Sequence, residues 1–85
     1  MHRQALLNAV DVALAGEWDQ AHRIVQADES DPMACRIHAV LHKIEGDAWN
    51  SRYWYGRTPH RYEDWGMDAR GELEAIRAEL RSLPD

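Results

Sequence analysis

Apolar residues recur at intervals of three and four along most of the chain, which is the spacing of one face of an α-helix. This pattern predicts an all-α fold of about five helices, near residues 4–15, 17–27, 32–45, 47–56 and 68–83. The side chains expected to face the core are Leu6, Leu7, Val10, Ala13 and Leu14, then Trp18, Ala21, Ile24 and Val25, then Ile37, Val40, Leu41 and Ile44, and finally Leu73, Ile76, Leu80 and Leu83. Those expected on the outer face of the last helix are Glu72, Glu74, Arg77 and Arg81.

Glycine, proline and aspartate mark the ends of these helices. Gly16 and Gly46 each follow an apolar helical segment, so they predict the left-handed backbone that closes a helix. Asp31 and Pro32 predict an N-cap followed by proline in the first helical position. Residues 57–66 carry glycine, proline and mixed polar side chains, and we expect an irregular connector there.

Length and composition limit the chain to one small domain, residues 1–85. With 45% hydrophobic residues, 29% charged residues, four Trp and three Tyr, it has enough apolar surface to fold. The apolar runs are far shorter than the ~20 residues of a membrane-spanning helix, and the first residues lead into no signal-type segment. The single cysteine, Cys35, excludes an internal disulfide. These features favour a cytoplasmic protein, and the net charge of −5 argues against nucleic-acid binding as its main role.

A short segment that begins at each helix-closing glycine is repeated thirty positions apart. Each copy begins with glycine, which an acidic residue follows directly. A small residue stands at the sixth place, and bulky apolar residues stand at the ninth and tenth. In this pattern the chain resembles tetratricopeptide and Sel1-like repeat proteins. The matching residues are Gly16, Trp18 and Ala21 in the first copy, and Gly46, Asp47, Ser51, Trp54 and Tyr55 in the second. The resemblance covers about residues 4–57 and implies two antiparallel hairpins in a bacterial protein-binding scaffold, which the last helix would cap.

Four residues with metal-binding side chains lie on one stripe of the third predicted helix. Cys35, His38, His42 and Glu45 are spaced by three, four and three positions. His38 and His42 have the separation at which two imidazoles on one face hold a divalent metal such as zinc, and Glu45 can add a carboxylate. His22, on the preceding helix, can supply a further ligand. The alternative is that these histidines are structural, since a histidine at a helix seam is commonly a satisfied hydrogen-bonding residue.

Signals for catalysis are few. The sequence contains no nucleophile motif, no phosphate-binding glycine loop and no paired catalytic carboxylates. A contact of Glu45 with His42 or with Arg52 would offset the cost of an acid at a helix C-terminus, and a His–Glu pair can act as an acid–base couple. Cys35 lies in a first helical turn, where the dipole can lower a thiol pKa, yet a single cysteine is more often a small buried residue. We therefore favour a protein that is not an enzyme.

Residues 52–62 interleave aromatic side chains with cations, and the segment 51–62 has three arginines and no acid. Such a segment can stack nucleobases, or it can supply the hot-spot residues of a protein interface. It can also dock internally, with the aromatics over the end of the core and the arginines paired with the acidic last helix. If it binds a partner protein, the expected contact residues are Trp49, Tyr53, Trp54 and Arg57.

The sequence thus predicts a non-catalytic interaction or assembly module that binds a protein partner or a second copy of itself. The alternative is a metal- or small-ligand-binding protein, or an enzyme, that uses His22, His38, His42 and Glu45.

Overall fold

The computed structural model describes residues 1–84, and over these residues the chain forms five α-helices and no strand. The helices are α1 (Arg3–Leu14), α2 (Trp18–Val25), α3 (Pro32–Ile44), α4 (Ala48–Tyr55) and α5 (Ala69–Ser82). Two short 3-10 turns, Gln26–Asp28 and Tyr62–Asp64, lie in the connections after α2 and α4. The predicted all-α fold is confirmed, and each helix boundary lies within about two residues of its predicted position.

Two helical hairpins, α1 with α2 and α3 with α4, form the first two-thirds of the fold. Gly16 (φ 86°) and Gly46 (φ 80°) close the first helix of each hairpin in the left-handed conformation, as predicted. The small residues at the sixth place of the repeated segment, Ala21 and Ser51, are both fully buried. The Ser51 hydroxyl donates a hydrogen bond to the Ala39 carbonyl at 2.7 Å, which fastens α4 to α3.

Helix α3 is the centre of the fold, because it packs against all four other helices. It begins at the predicted cap, where Asp31 accepts hydrogen bonds from the backbone N–H groups of Met33 (2.8 Å) and Ala34 (3.1 Å). Since neighbours surround it, its buried residues extend well beyond one stripe. They are Ala34, Cys35, Arg36, Ile37, His38, Ala39, Val40, Leu41 and Lys43.

Two residues predicted to face the core lie at the surface instead. Trp18 is 44% exposed, because it is the first residue of α2 and stands at the edge of the hairpin. Leu83 is 46% exposed, because α5 ends at Ser82 and the backbone of Leu83 is already extended. The other side chains predicted to face the core are buried or packed against it.

Glu72 is also placed differently from its prediction, which put it on the outer face of α5. It is only 1% exposed and accepts a hydrogen bond from the Tyr55 hydroxyl at 2.6 Å. Its carboxylate lies 3.5 Å from Lys43 Nζ and 3.4 Å from Arg36 Nε, and both of these cations are buried too. The carboxylate can therefore be buried because opposite charges surround it.

Helix α5 packs against α1 and α3 and covers one side of the two hairpins. An ion pair between Arg77 and Asp11 (3.3 Å) links α5 to α1 at the surface. Within residues 1–84, none of the helices has the length and apolar content needed to cross a membrane.

Candidate metal site

Three histidines converge where α2 packs against α3. His22 projects from α2, and His38 and His42 lie one turn apart on α3. The ring centroids are 5.0 Å apart for His22 and His38, and 4.9 Å apart for the other two pairs. One nitrogen from each ring lies within 4.8 Å of the others. Nitrogens that bind one tetrahedral ion at 2.0–2.1 Å are about 3.4 Å apart, so small side-chain rotations would bring the rings to a common ion.

Aromatic stacking holds His38 in place. The ring is 3% exposed and packs nearly parallel to the indole of Trp54, with the centroids 4.1 Å apart and the planes at 18°. It also stacks on His42 at 17°. Trp54 reaches this position from α4 because α3 and α4 form a hairpin. A ligand side chain whose orientation is fixed before binding loses less conformational entropy when it binds.

We call His22, His38 and His42 the histidine cluster. Two of its imidazole nitrogens are buried and have no hydrogen-bond partner within the described part of the chain. They are His22 Nε2 and His42 Nδ1. Buried polar atoms are nearly always satisfied, and leaving one unsatisfied costs about 1–3 kcal/mol. An ion that binds both nitrogens would satisfy them together.

His38 and His22 are uncharged near neutral pH. Burial, followed by the neighbouring His22 and His42 rings, lowers the pKa of His38 to about 4. Burial also lowers the pKa of His22, although the negative charge of Glu45 opposes this effect. Both imidazoles are therefore neutral at pH 7, and the neutral ring is the form that binds metals.

Two carboxylates border the cluster. Glu45 Oε1 lies 3.1 Å from His22 Nδ1, and Glu45 Oε2 lies 3.7 Å from His42 Nδ1. Asp47 Oδ2 lies 3.8 Å from the same nitrogen of His42, while Asp47 also caps α4 by accepting a hydrogen bond from the Asn50 backbone N–H. The Glu45 side chain is 40% exposed, so solvent reaches the histidine cluster at the side where Glu45 lies.

Cys35 does not join the three histidines, although it lies on the same predicted stripe. Its buried thiol donates a hydrogen bond to the Glu29 carbonyl at 3.1 Å. Burial raises the pKa of the Cys35 thiol, which keeps it protonated. Cys35 is therefore a small buried side chain and not an activated nucleophile.

The four predicted partner-contact residues are divided between the surface and the histidine cluster. Trp49 is 75% exposed and Tyr53 about half exposed, and their rings stack with centroids 6.2 Å apart. We call these two residues the α4 aromatic surface. Trp54 is partly buried against His38, and the Arg57 guanidinium lies 5.7 Å from the centre of its ring.

Two arginines of residues 51–62 pair with acids of the connector. Arg52 contacts Glu63, and Arg61 contacts Asp64. For these two arginines the expected pairing with the last helix is wrong, because nearer acids follow the basic segment directly. Arg52 is likewise paired away from Glu45. The pairs also reduce the positive charge that the segment offers to a nucleic acid.

Sequence reasoning does not place Trp54 or Asp47 beside the histidines. A signal for Trp54 exists, since it lies three positions after Ser51, and residues so spaced share a helix face. Ser51 is buried and bonded to α3, so the helix face that it shares with Trp54 is the one turned toward α3. Asp47 carries no comparable signal, because its capping role alone explains its position.

Comparisons of the chain with protein families, with curated proteins and with solved structures give no match. The function is therefore inferred from the geometry of the histidine cluster and of the α4 aromatic surface.

Proposed function

We propose that this protein binds a transition-metal ion through His22, His38 and His42, with Glu45 beside the ion. The observation that carries this proposal is the pair of buried imidazole nitrogens, on His22 and His42, that have no hydrogen-bond partner in residues 1–84. Coordination to a single ion would satisfy both nitrogens. The stacking of His38 on Trp54 supports the proposal, because it holds the third imidazole ready for binding.

The donor atoms indicate which class of metal would bind. Imidazole nitrogens suit zinc, copper, nickel and iron, whereas magnesium and calcium prefer oxygen ligands. Three protein nitrogens leave a fourth position of a tetrahedral ion free for water or another ligand. Zinc is therefore the first ion to test.

Isothermal titration calorimetry of chelator-treated protein with Zn²⁺ tests the proposal. We expect one ion per chain, together with a rise in the melting midpoint, because an ion at a free concentration of 100 times its Kd adds about 2.7 kcal/mol to the free energy of unfolding. His42→Ala should weaken binding by at least about 100-fold, since it removes a ligand and not merely a supporting residue.

The matched control is His60→Ala, because His60 lies in the connector outside the cluster. This variant should bind zinc like the wild type. Wild-type protein that binds no zinc, nickel or copper below millimolar concentration would overturn the proposal. Equal zinc affinity in the His42→Ala variant would do the same for the ligand assignment.

A second candidate function is self-association through the α4 aromatic surface. It is favoured by the exposure of Trp49 and Tyr53, two of the residue types that are enriched at interface hot spots. A second copy of the chain is the occupant we propose, since small domains often gain stability from self-association. The resemblance to tetratricopeptide and Sel1-like repeats, which implies a protein-binding scaffold, stays a prediction.

Sedimentation equilibrium tests this second candidate directly. We expect wild-type protein to form a dimer that Trp49→Ala weakens by about 30-fold or more, the scale of a hot spot of about 2 kcal/mol. Trp65→Ala, which removes a Trp that is 39% exposed outside α4, is the matched control. A wild-type protein that stays monomeric at millimolar concentration would overturn self-association.

A further inference from the structure

Glu45 stands between the histidine cluster and solvent, at the C-cap of α3. The negative end of the α3 dipole makes this a poor position for a carboxylate unless a nearby group compensates. The nearest candidate is His22, whose Nδ1 lies 3.1 Å from Glu45 Oε1. The contact of Glu45 Oε2 with His42 Nδ1 is longer, at 3.7 Å, so the negative charge of Glu45 acts most closely on His22.

We infer that Glu45 holds His22 in the tautomer with its proton on Nδ1 and its lone pair on Nε2. In this role Glu45 is a positioning residue of the metal site and not one of its ligands. The metal part of this inference rests on the proposed function.

The tautomer follows from the charge that faces each nitrogen. A neutral imidazole carries one N–H and one lone pair. A lone pair on His22 Nδ1 would face the carboxylate oxygen of Glu45 and be repelled by it, whereas an N–H in the same place is attracted. The lone pair is therefore expected on Nε2, the nitrogen that is buried without a hydrogen-bond partner in the described residues.

The alternative arrangement has Glu45 as a ligand and His22 bound to the ion through Nδ1. The proton of His22 would then lie on Nε2, as a buried donor with no acceptor among residues 1–84. Such donors are strongly disfavoured in protein interiors. Coordination through Nε2 leaves neither nitrogen unsatisfied, because the ion takes the lone pair and Glu45 faces the N–H.

A carboxylate in this position affects the ion through the imidazole. It fixes the ring orientation and makes the ligating nitrogen more basic, and the loss of such a group typically weakens metal binding by 10–100-fold. Three variants separate this role from others. Glu45→Ala removes the acceptor, Glu45→Gln keeps an acceptor oxygen without the charge, and Asp19→Asn removes a nearby negative charge that acts on His22 only through space.

The first measurement uses metal-free protein and is independent of the proposed function. Long-range ¹H–¹⁵N NMR at pH 7.5 reports which nitrogen of His22 carries the proton. We expect the Nδ1–H tautomer in the wild type, in Glu45→Gln and in Asp19→Asn, and a shift toward Nε2–H in Glu45→Ala. An Nε2–H tautomer in the wild type, or no change in Glu45→Ala, would overturn the inference.

The second measurement is zinc affinity by calorimetry, with the coordination of Cu²⁺ followed by electron paramagnetic resonance. We expect Glu45→Ala to bind zinc 10–100-fold more weakly than the wild type and Glu45→Gln to recover most of that loss. The nitrogen hyperfine pattern of bound Cu²⁺ should remain that of three imidazoles in all variants. A Glu45→Gln variant as weak as Glu45→Ala, with an altered copper spectrum, would instead make Glu45 a ligand. If the wild type has the expected His22 tautomer but binds no metal, the proposed metal-binding function is overturned and the inference about the tautomer stands.

Discussion

Replacing Glu72 with alanine is expected to destabilise the fold by about 3 kcal/mol. The carboxylate is buried, accepts a hydrogen bond from Tyr55 and lies between the cations of Lys43 and Arg36. Removing one partner of a buried ion pair generally costs about 3–5 kcal/mol, because the other charge stays buried without compensation. We expect the lower end of this range, since Arg36 keeps an ion pair with Glu79 at 2.9 Å. For a domain of this size, such a loss lowers the melting midpoint by roughly 12–24 °C.

Urea unfolding followed by far-ultraviolet circular dichroism measures the effect. Glu74→Ala is the matched control, because Glu74 is exposed on the same helix. Its ion pair with Arg70, at 4.0 Å, is a surface pair that contributes less than about 0.5 kcal/mol. Glu72→Gln keeps an acceptor for the Tyr55 hydroxyl, so it should recover about 1 kcal/mol of the loss and fold even if the alanine variant does not. A Glu72→Ala variant that loses less than 1 kcal/mol, or no more than Glu74→Ala, would refute this account of the buried charges.

Three further outcomes can be measured in the same way. In chelator-treated protein the free energy of unfolding should fall by up to about 3 kcal/mol as the pH drops from 6.5 to 4, because the pKa of His38 is near 4 in the folded state and only the unfolded chain takes up that proton in this interval. His38→Gln should remove this part of the fall, and His2→Gln should retain it. Ala21→Leu should cost roughly 1–3 kcal/mol by overpacking a fully buried position, and an unchanged melting midpoint would contradict the repeat alignment. Trp54→Ala should lower the free energy of unfolding by about 2 kcal/mol, whereas Trp49→Ala should change it by no more than about 0.5 kcal/mol. Equal effects would contradict the burial of Trp54 against His38 and the exposure of Trp49.

Helix positions could be predicted closely because their signals are local. Gly16 and Gly46 end helices through their own backbone freedom, and Asp31 caps α3 through hydrogen bonds from Met33 and Ala34, two and three residues further on. The burial of Glu72 and Lys43 could not be predicted in this way. It depends on two charges from distant parts of the chain meeting, whereas the apolar pattern of the last helix alone places Glu72 on its outer face.

The candidate site shows the same division between local and distant signals. His38 and His42 are brought together by helical spacing alone, so their proximity could be read from the sequence. The approach of His22 requires α2 to pack against α3 in one particular register, which the sequence suggests but does not determine. The contact between Glu45 and His22 depends on the same packing, and the spacing within α3 predicts only the weaker contact with His42.

The stack of Trp54 on His38 also gives the cluster an intrinsic optical reporter. Trp18, Trp49 and Trp65 are all substantially exposed, so we expect them to emit at the longer wavelengths typical of indoles in water. Trp54 is the partly buried one, and its ring lies 4.1 Å from an imidazole. Protonation of that imidazole, or a paramagnetic ion bound to it, would quench the short-wavelength part of the emission selectively. Protonation or metal binding at the histidines can therefore be followed in the unlabelled protein by the emission at short wavelengths, separately from changes at the surface.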